Sequence, residues 1–344
     1  MTSCRTAADT DGTPPTLDVL AAARALLDAH QHVALATVVE TWGSSPVPVG
    51  GQMVIAAEDA FHGSVSGGCV EGEVIVAADE VIADGRPRVM TFGVSNETAW
   101  QVGLPCGGNV TVLVVRLSRH DGAPLLDAVL TATARRQVLA IITDMTSGAM
   151  RAHTTADAPE QVAAAMRRGA SAVVSQDGGT SAFVHVLVPP PRVVVIGATH
   201  IAQHLVAMLR LVGYDTVVVD PRTAYATPAR FAGVRLVTDW PNDALPALGL
   251  DPFTAVVAVA HVPDIDDTAL RHGLGSGCFY VGALGSRRNH ARRIGRLATA
   301  GVTEAAMARI RAPIGLDIGA VGPAEIAASI LAEIVQAWRR GRVE

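Results

Sequence analysis

The segment RVVVIGATHIAQHL (residues 192–205) constrains the fold most, because it joins an apolar strand through a glycine turn to a helix. Similar apolar strands, with helical periodicity between and after them, recur at DTVVVD (215–220), FTAVVAVA (253–260) and CFYVGAL (278–284). Strands that are apolar on both faces and alternate with helices are typical of a parallel sheet covered on both sides. The sequence therefore predicts an α/β fold with a Rossmann-like, doubly wound parallel sheet in its C-terminal part.

Three consecutive prolines, Pro189 to Pro191, precede this region and predict a domain boundary, because polyproline is extended and stiff. The N-terminal part mixes strand-like and helical segments, so a mixed α/β domain is expected there. With 344 residues in the chain, two domains are the natural expectation. The predicted divisions are a disordered tail over 1–16, an N-terminal domain over 17–188, a proline linker over 189–191 and a C-terminal domain over 192–344.

The composition excludes several classes of protein. All 27 basic residues are arginine, which excludes a Schiff base, a Walker-A lysine and a lysine general base. The net charge of −5 gives no reason to expect a nucleic-acid partner. No apolar run approaches the ~18 residues of a membrane span, and the polar N-terminus lacks a secretory signal. A cytoplasmic protein without a membrane span is therefore expected.

The glycine turn after the first apolar strand is where a Rossmann fold would bind a pyrophosphate. The usual G-x-G-x-x-G/A pattern stands here as Gly197-x-Thr199-x-x-Ala202, and Asp220 ends the next strand. The separation between Gly197 and Asp220 is close to the ~20 residues expected for an acid that binds a ribose. An NAD(P)-dependent oxidoreductase is therefore one candidate function. Thr199 argues against it, because its Cβ stands where the backbone should approach phosphate.

Further polar residues follow the predicted strands, at the sheet edge where such folds bind ligands. Arg222 comes just after Asp220, and His200 opens the first helix, where it could contact a phosphate or cap the helix. Ser286 and Arg287 begin another predicted helix, whose N-terminus suits an anion. These residues predict an edge that binds a phosphate or a nucleotide.

The helix that begins at Arg287 also carries an arginine stripe on one face. Its members, Arg288, Arg292 and Arg296, are spaced four residues apart, which suits either a solvated surface or the docking of a partner. His261 follows an earlier apolar strand, and Asp264 comes three residues later. This pair is predicted to form a loop and a helix cap rather than a metal site.

The segment GSVSGGCVEG places Cys69 directly after Gly67 and Gly68. An apolar-periodic helix begins at about Val70, so Cys69 should lie at a helix N-terminus. Unpaired backbone N–H groups there favour negative charge, and hence the thiolate form. The two glycines would let the backbone approach a bulky ligand. Glu71 suits the helix dipole in the first turn, as a site residue or as a capping residue only.

A second cysteine, Cys106, also lies in a glycine-rich turn, GLPCGG, where Gly107 and Gly108 follow it. The two thiols could converge in one domain, or they could be unrelated turn cysteines. Soft thiolates suit metals that accept sulfur ligands, and they also suit sulfur transfer or redox chemistry. Cys278, by contrast, begins an apolar strand and is expected in the core.

Long motifs in both domains occur in order and at suitable spacing. They are ATVVETWGSSPVPVGGQMVI, GSVSGGCVEGEV and GLPCGGNVTVLV in the first domain, and VVVIGATHIAQHL, VVVDPRTAYATPARF, FYVGALGSRRNHARRI and RAPIGLDIGAVGPAEIAASILAEI in the second. Together they resemble the XdhC/CoxI family of maturation factors for xanthine and carbon monoxide dehydrogenases. Residues 119–180 are weakly diagnostic, and Thr199 replaces the second glycine of the family's usual G-x-G-H.

The resemblance implies an XdhC/CoxI-type N-terminal domain, and a chaperone rather than a turnover enzyme. Such proteins bind the molybdenum cofactor (molybdopterin) and protect it while a cysteine desulfurase exchanges an oxo for a sulfido ligand. They then hand it to the apo-form of a xanthine-dehydrogenase-type molybdenum hydroxylase. Cys69 and Cys106 carry over as cofactor-binding residues and candidate molybdenum ligands.

Four questions stay open at the level of sequence. The cofactor could be the dinucleotide form, and the C-terminal domain could bind a nucleotide. The chain could form a homodimer. A pure docking protein with merely structural cysteines is a further alternative.

Overall fold

The computed structural model describes residues 15–43, 45–56, 60–93, 108–175 and 181–340. The chain divides into two compact units, and the boundary between them falls between Pro189 and Pro190. Each unit has hydrophobic cores of its own. Within the ranges given above, no helix combines the length and the apolar character that crossing a membrane requires.

The N-terminal unit contains two antiparallel sheets. Its described elements are α1 (Pro15–Ala29), β1 (His32–Trp42), β2 (Gln52–Ile55), β3 (Phe61–Gly63), α2 (Glu71–Asp84), β4 (Arg88–Phe92), β5 (Asn109–Ser118), α3 (Gly122–Ala134), β6 (Leu139–Asp144), β7 (Met150–Thr154), α4 (Glu160–Arg168), β8 (Ala172–Ser175) and β9 (Ser181–Leu187). One sheet has the order β3-β2-β1-β5-β4, and the other has the order β7-β6-β9-β8. Neighbouring strands are antiparallel in both sheets.

The five-stranded sheet is buried on both faces, which explains why β1 is apolar at nearly every position. On one face, Leu35 joins a core cluster with Leu126 of α3. On the other face, Ala36 joins a cluster with Val74 of α2. Helix α2 therefore packs against this second face, and its packing fixes the position of the loop that carries Cys69.

The C-terminal unit contains one parallel sheet. Its described elements are β10 (Arg192–Ile196), α5 (His200–Leu211), β11 (Asp215–Val219), β12 (Arg235–Val237), α6 (Pro241–Leu248), β13 (Thr254–Ala258), α7 (Pro263–Gly275), β14 (Tyr280–Ala283), α8 (Arg287–Thr299), α9 (Glu304–Met307), β15 (Ile310–Arg311) and α10 (Pro323–Arg340). The strand order is β12-β11-β10-β13-β14-β15, and every neighbouring pair is parallel. The order reverses between β10 and β13, so these strands flank the switch point at which doubly wound sheets bind ligands.

Helices cover both faces of the parallel sheet. Val194 of β10 shares a core cluster with Leu270 of α7 on one face. Val193 shares a second cluster with Leu205 of α5 and Ile330 of α10 on the other face. Because successive strand residues point to opposite faces, and helices cover both faces, the residues on both faces must be apolar. The predicted α/β class, with a doubly wound parallel sheet in the C-terminal part, is confirmed.

Some elements differ from the sequence-based prediction. The sequence VRLVTDW predicts a strand over 234–240, but β12 is shorter, and Trp240 is already the N-cap residue of α6. Helix α6 was not predicted, since Pro241 and Pro246 are both strong breakers in a helix interior. Pro241 is tolerated because it lies in the first turn. Strands β7 and β8 also escaped prediction, because their residues are largely half-buried or exposed and lack a continuous apolar run.

Candidate functional site

A glycine loop, residues 64–70, joins β3 to α2 and carries Cys69. Gly67 and Gly68 have φ angles of 82° and 114°, in the left-handed region that favours glycine. Both are exposed, and a Cβ placed on Gly68 would meet no atom within 4 Å. Glycine is therefore required at position 68 for its backbone conformation, and the space beside it is open.

The carboxylate of Glu71 accepts six hydrogen bonds from this loop, two from hydroxyls and four from backbone N–H groups. The donors to Oε1 are Ser64 Oγ (2.6 Å), Val65 N (3.2 Å) and Ser66 N (2.9 Å), and the donors to Oε2 are Ser66 Oγ (2.5 Å), Gly68 N (2.9 Å) and Val70 N (3.2 Å). Burial opposes ionisation of Glu71, but the hydrogen bonds from Ser64 and Ser66 prevail and lower its pKa to about 2. We call this arrangement the Glu71 clamp.

Cys69 lies just before Val70, the N-cap residue of α2. Its thiol is free, and its half-buried side chain packs against the apolar layer between α2 and the five-stranded sheet. The sequence predicts unpaired N–H groups at this helix start. In the structure, the N–H groups of Cys69 and Val70 donate to the Ser66 hydroxyl (2.9 and 3.0 Å), and Val70 also donates to Glu71. Acceptors within the loop therefore occupy donors that were predicted to stabilise a thiolate.

The second candidate cysteine, Cys106, lies outside the described residues together with Gly107, so its convergence with Cys69 stays a prediction. Gly108 is described; it is buried and directly precedes β5. Cys278 is buried as expected, and burial raises its pKa to about 12. Among the side chains that the structure describes, no three His, Cys, Asp or Glu residues form a group that could hold a metal ion.

The predicted phosphate turn of the C-terminal unit is built around Gly197, whose φ is 104°. A Cβ at this position would lie 2.5 Å from the Cα of Ala260, so only glycine fits beside the chain that follows β13. Thr199 is the N-cap residue of α5, and its hydroxyl accepts a hydrogen bond from the N–H of Ala202 (3.3 Å). The departure from the usual second glycine thus gives the helix a side-chain cap.

Asp220, predicted to contact a ribose, is fully buried beneath this turn. Its Oδ2 accepts hydrogen bonds from the N–H of Ala198 (2.7 Å) and from Arg222 Nη2 (2.8 Å). Its Oδ1 accepts from the N–H and Nε of Arg222, both at 2.9 Å. Burial acts to raise the pKa of Asp220, but these bonds outweigh it and lower the pKa. Both oxygens are therefore engaged within the protein.

The other predicted residues lie at helix starts on the carboxyl edge of the sheet. His200 is exposed at the start of α5, with its ring centroid 4.9 Å from that of His204. Ser286 is the N-cap residue of α8, where its hydroxyl accepts from the N–H of Asn289 (3.3 Å). Arg287, the first residue of α8, is exposed. Because parallel strands end at one edge, the structure brings both helix starts to the same edge.

Both units match models of one protein family. Residues 26–93 match the XdhC and CoxI family, and residues 193–334 match the XdhC Rossmann domain. The chain belongs to the XdhC/CoxI family. The predicted resemblance is thereby confirmed, and the Rossmann domain match falls on the parallel sheet that contains Gly197 and Asp220.

Two relatives extend across both units of this XdhC/CoxI protein. A Bacillus subtilis protein, named as a subunit of a probable xanthine dehydrogenase, is 27% identical over 326 residues, which cover 92% of this chain and 96% of the relative. The Escherichia coli molybdenum cofactor insertion chaperone PaoD is 28% identical over 300 residues, which cover 87% of this chain and 81% of PaoD. Among solved structures, a Bacillus halodurans protein described as a xanthine dehydrogenase has the same fold. It matches with a TM-score of 0.71 and 23% identity, over 95% of this chain and 96% of its own.

One buried arginine of the XdhC Rossmann domain was not predicted from the sequence. Arg293 of α8 is 6% exposed and lies beside a cavity at the carboxyl edge of the sheet. The arginine stripe predicted from the sequence includes Arg292 and Arg296, which are exposed and line the same cavity. A signal was present in the spacing, because Arg293 stands four residues before the buried Leu297 and thus shares its inward face.

Proposed function

We propose that this XdhC/CoxI protein is a chaperone whose cargo is the molybdenum cofactor. It holds the cofactor while a cysteine desulfurase replaces an oxo ligand by a sulfido ligand, and it delivers the cofactor to a xanthine-dehydrogenase-type molybdenum hydroxylase. Two relatives support this proposal by their names, one a molybdenum cofactor insertion chaperone and one part of a probable xanthine dehydrogenase. Both align over more than four-fifths of this chain.

The observation that carries the proposal is the free thiol of Cys69 on a clamped glycine loop. Thiolates are soft ligands, the class that suits a metal already bound by dithiolene sulfur. The open space beside Gly68 gives a bulky cargo access to this backbone. The sulfur ligand that Cys69 offers, and the open space beside its loop, therefore both suit the molybdenum cofactor.

Glu71 serves the site by ordering the loop. Both of its oxygens are hydrogen-bonded to the loop itself, so we assign it a positioning role for Cys69. The glycines at 67 and 68 supply the backbone angles that this clamp requires. We further propose that Cys106, with Gly107 and Gly108, supplies a second thiol to the same cargo, because in the sequence its glycine turn leads into β5 of the N-terminal unit.

In the C-terminal unit we propose that the edge carrying Gly197, His200, Ser286 and Arg287 binds the phosphate or nucleotide end of a dinucleotide form of the cofactor. Two helix starts and an exposed arginine at one edge support this role. Asp220 and Arg222 brace the glycine turn from below. The alternative function, an NAD(P)-dependent oxidoreductase, requires Asp220 for the ribose, and its oxygens are already occupied.

The deciding experiment is co-expression of the full chain with the enzymes of cofactor synthesis, followed by purification. Molybdenum and pterin are measured per chain for wild type, Cys69→Ala and Cys106→Ala. Cys278→Ala is the matched control, because Cys278 is a buried core cysteine of the other unit. Light scattering on the same sample measures whether the chain is a homodimer.

We expect wild type and the Cys278 variant to carry molybdenum and pterin in equal amounts, and the Cys69 variant to lose most of both. Full retention by Cys69→Ala would remove the proposed role of this thiol. A wild-type chain that lacks pterin but binds NADH in a fluorescence titration would favour the oxidoreductase instead. Pull-down of the loaded chain tests the partners, a cysteine desulfurase and an apo-hydroxylase.

A further inference from the structure

A cavity of about 220 Å³ lies at the carboxyl edge of the parallel sheet, where the loops after β13 and β14 meet α8. Its wall is made of His261, Pro263, Asp266, Leu284, Asn289, Arg292, Arg293 and Arg296. Ligands of doubly wound sheets bind outside the carboxyl ends of the strands. The cavity therefore lies at an edge suited to binding, one strand away from the switch point between β10 and β13.

Cations dominate this wall. Arg292, Arg293 and Arg296 project from α8, and Asp266 is the single carboxylate among the lining residues. Arg296 is neutralised by Asp267, which accepts from its Nε at 2.5 Å. Arg292 is exposed, and no hydrogen bond or ion pair engages it within the described part of the chain. The wall thus keeps one cation, Arg292, that has no carboxylate partner in the described part of the chain.

Two of the three nitrogens in the buried guanidinium of Arg293 lack hydrogen-bond acceptors among the described residues. Its Nη2 donates to the carbonyl of Leu284 (3.1 Å), but the described residues supply no hydrogen-bond acceptor for its Nε or Nη1. The carboxylates of Asp266 and Asp267 approach it at 4.0 and 3.4 Å, as ion pairs without a hydrogen bond. Buried charged donors are almost always paired in native proteins, with a protein group, a water or a ligand.

From these observations we propose that the cavity binds a small oxyanion of the phosphate class. A tetrahedral anion offers several acceptors at once, and guanidinium groups match its geometry better than any other side chain. Arg292, which is exposed, would contact the anion at the mouth of the cavity, and the unpaired Nε and Nη1 of the buried Arg293 would donate to it further inside. Asn289 and His261 add donors on either side of the cavity.

Asp266 is compatible with an anionic ligand in its protonated form, although its ionised carboxylate would repel one. Burial raises the pKa of its carboxyl to about 6. In its protonated form the carboxyl adds a donor to the wall, and in its ionised form it repels an anion. Replacing it by asparagine, which keeps the shape and removes the charge, should therefore tighten binding.

This site goes beyond the proposed function. It uses the inward face and the second turn of α8, whereas the proposed nucleotide edge uses the Gly197 turn and the helix starts at His200 and Arg287. It requires neither Cys69 nor the molybdenum cofactor. Loss of cofactor loading and loss of oxyanion binding are thus separate results.

Isothermal titration calorimetry of the full chain with inorganic phosphate, and separately with ribose 5-phosphate, tests the proposal in chloride buffer. The variants are Arg292→Gln and Arg293→Gln, with Asp266→Asn as the tightening variant. Arg271→Gln is the matched control, because it removes the same charge from an exposed site on the neighbouring helix α7, outside the cavity. Circular dichroism verifies that each variant folds.

We expect wild type to bind phosphate with a Kd in the millimolar range or tighter, Arg292→Gln and Arg293→Gln to bind it roughly tenfold more weakly, and Asp266→Asn to bind it more tightly. The Kd of the Arg271 variant for phosphate should stay within about twofold of the wild-type value, because Arg271 lies on the surface outside the cavity. Binding of both probes would indicate a phosphate group on a larger ligand, and binding of phosphate alone would indicate the free ion.

Two results would overturn the proposal. One is the absence of binding by wild type with either probe. The other is a loss of affinity in Arg271→Gln as large as that in Arg292→Gln, which would indicate general electrostatic attraction. Should Arg293→Gln fail to fold, the exposed Arg292 carries the test, because its replacement removes no buried contact.

Discussion

The two units of this protein each hold a carboxylate beneath a functional loop, and the two behave in opposite ways. Glu71 in the N-terminal unit accepts six hydrogen bonds, and its pKa is lowered to about 2. Asp266 in the C-terminal unit is 2% exposed and accepts from the N–H of Ala260 at 3.1 Å, with Arg293 at 4.0 Å. Burial prevails there and raises its pKa to about 6.

The comparison shows that burial and donors together decide whether a carboxylate keeps its charge, because Glu71 is only half-buried and has six donors, whereas Asp266 is almost fully buried and has few. The comparison also distinguishes a site whose hydrogen bonds are all made within the protein from a site whose donors still lack acceptors. The Glu71 clamp satisfies the loop around Cys69 without outside help. The pair formed by Asp266 and Arg293 leaves donors without acceptors, and an added ligand would complete it.

The largest expected effect comes from breaking the clamp. Glu71→Gln puts two N–H donors among groups that are themselves donors, so several hydrogen bonds of the loop are lost. We expect the free energy of unfolding of the N-terminal unit to fall by about 3 kcal/mol, measured by urea titration with hydrogen-exchange mass spectrometry. Iodoacetamide should also alkylate Cys69 faster.

Glu73→Gln is the control for this prediction, because Glu73 lies in the same helical turn and is exposed. It should change the stability by no more than about 0.5 kcal/mol. Equal stability of the Glu71 and Glu73 variants would mean that the clamp contributes nothing.

The second effect concerns Asp266 and pH. Its folded-state pKa, about 6, exceeds the ordinary 3.8, so the folded protein binds the proton more tightly than the unfolded chain does. The stabilisation is present below pH ~4 and is lost as pH rises through ~6. Asp266→Asn removes this dependence and should be about 2 kcal/mol more stable than wild type at pH 8, but equal to it at pH 4.

Urea titrations at the two pH values measure this difference. Asp264→Asn, an exposed aspartate in the same turn of α7, is the control and should show no pH-dependent gain. A gain in Asp266→Asn that is the same at both pH values would contradict the assigned cause.

A smaller pair of effects separates two glycines of the Cys69 region. Gly68→Ala forces an alanine into a φ of 114° and should destabilise the protein by about 1–2 kcal/mol. Gly72→Ala lies within α2, where a Cβ meets no atom within 4 Å, and should stabilise it by about 0.5–1 kcal/mol. Thermal unfolding should therefore shift in opposite directions; a shift in the same direction would refute the assigned backbone roles.

The smallest expected effect concerns the cap at Thr199. Thr199→Ala should cost about 1 kcal/mol, because the N–H of Ala202 loses its acceptor. Thr199→Gly, which restores the glycine usual in the family, should cost only a few tenths of a kcal/mol. Chemical denaturation of both variants distinguishes a cap from a packing role, for which the glycine variant would be the less stable of the two.

Much of the fold follows from local sequence. The apolar strands with helices between them predict the parallel sheet, and the glycines before Val70 with apolar spacing after it predict where α2 begins. These signals are local, because backbone conformation and burial on one face act within a few residues. Helix α6 could not be predicted in this way, because its two prolines are local signals against a helix. Its stability comes instead from packing against the sheet, which local sequence does not reveal.

The candidate sites were less predictable, because their chemistry depends on which groups the fold brings together. Glu71 was expected to contact the cargo or cap a helix. Its hydrogen bonds to the preceding loop depend on the turn at Gly67 and Gly68, which brings the loop back over the carboxylate. Asp220 has the right spacing for a ribose, but Arg222, two residues later, folds back onto it. Arg293 resembles any other arginine of α8 until packing buries it.

Ala260 lies between the glycine turn and the arginine-lined cavity of the C-terminal unit. Its Cα stands where a Cβ on Gly197 would be, and its N–H donates to Asp266 in the wall of the cavity. A ligand that displaced Asp266 would act, through this hydrogen bond, on the residue that lies beside the glycine turn. We expect the affinities of the two positions to be thermodynamically linked, so that an anion in the cavity changes nucleotide affinity at the turn by the same factor as the nucleotide changes anion affinity.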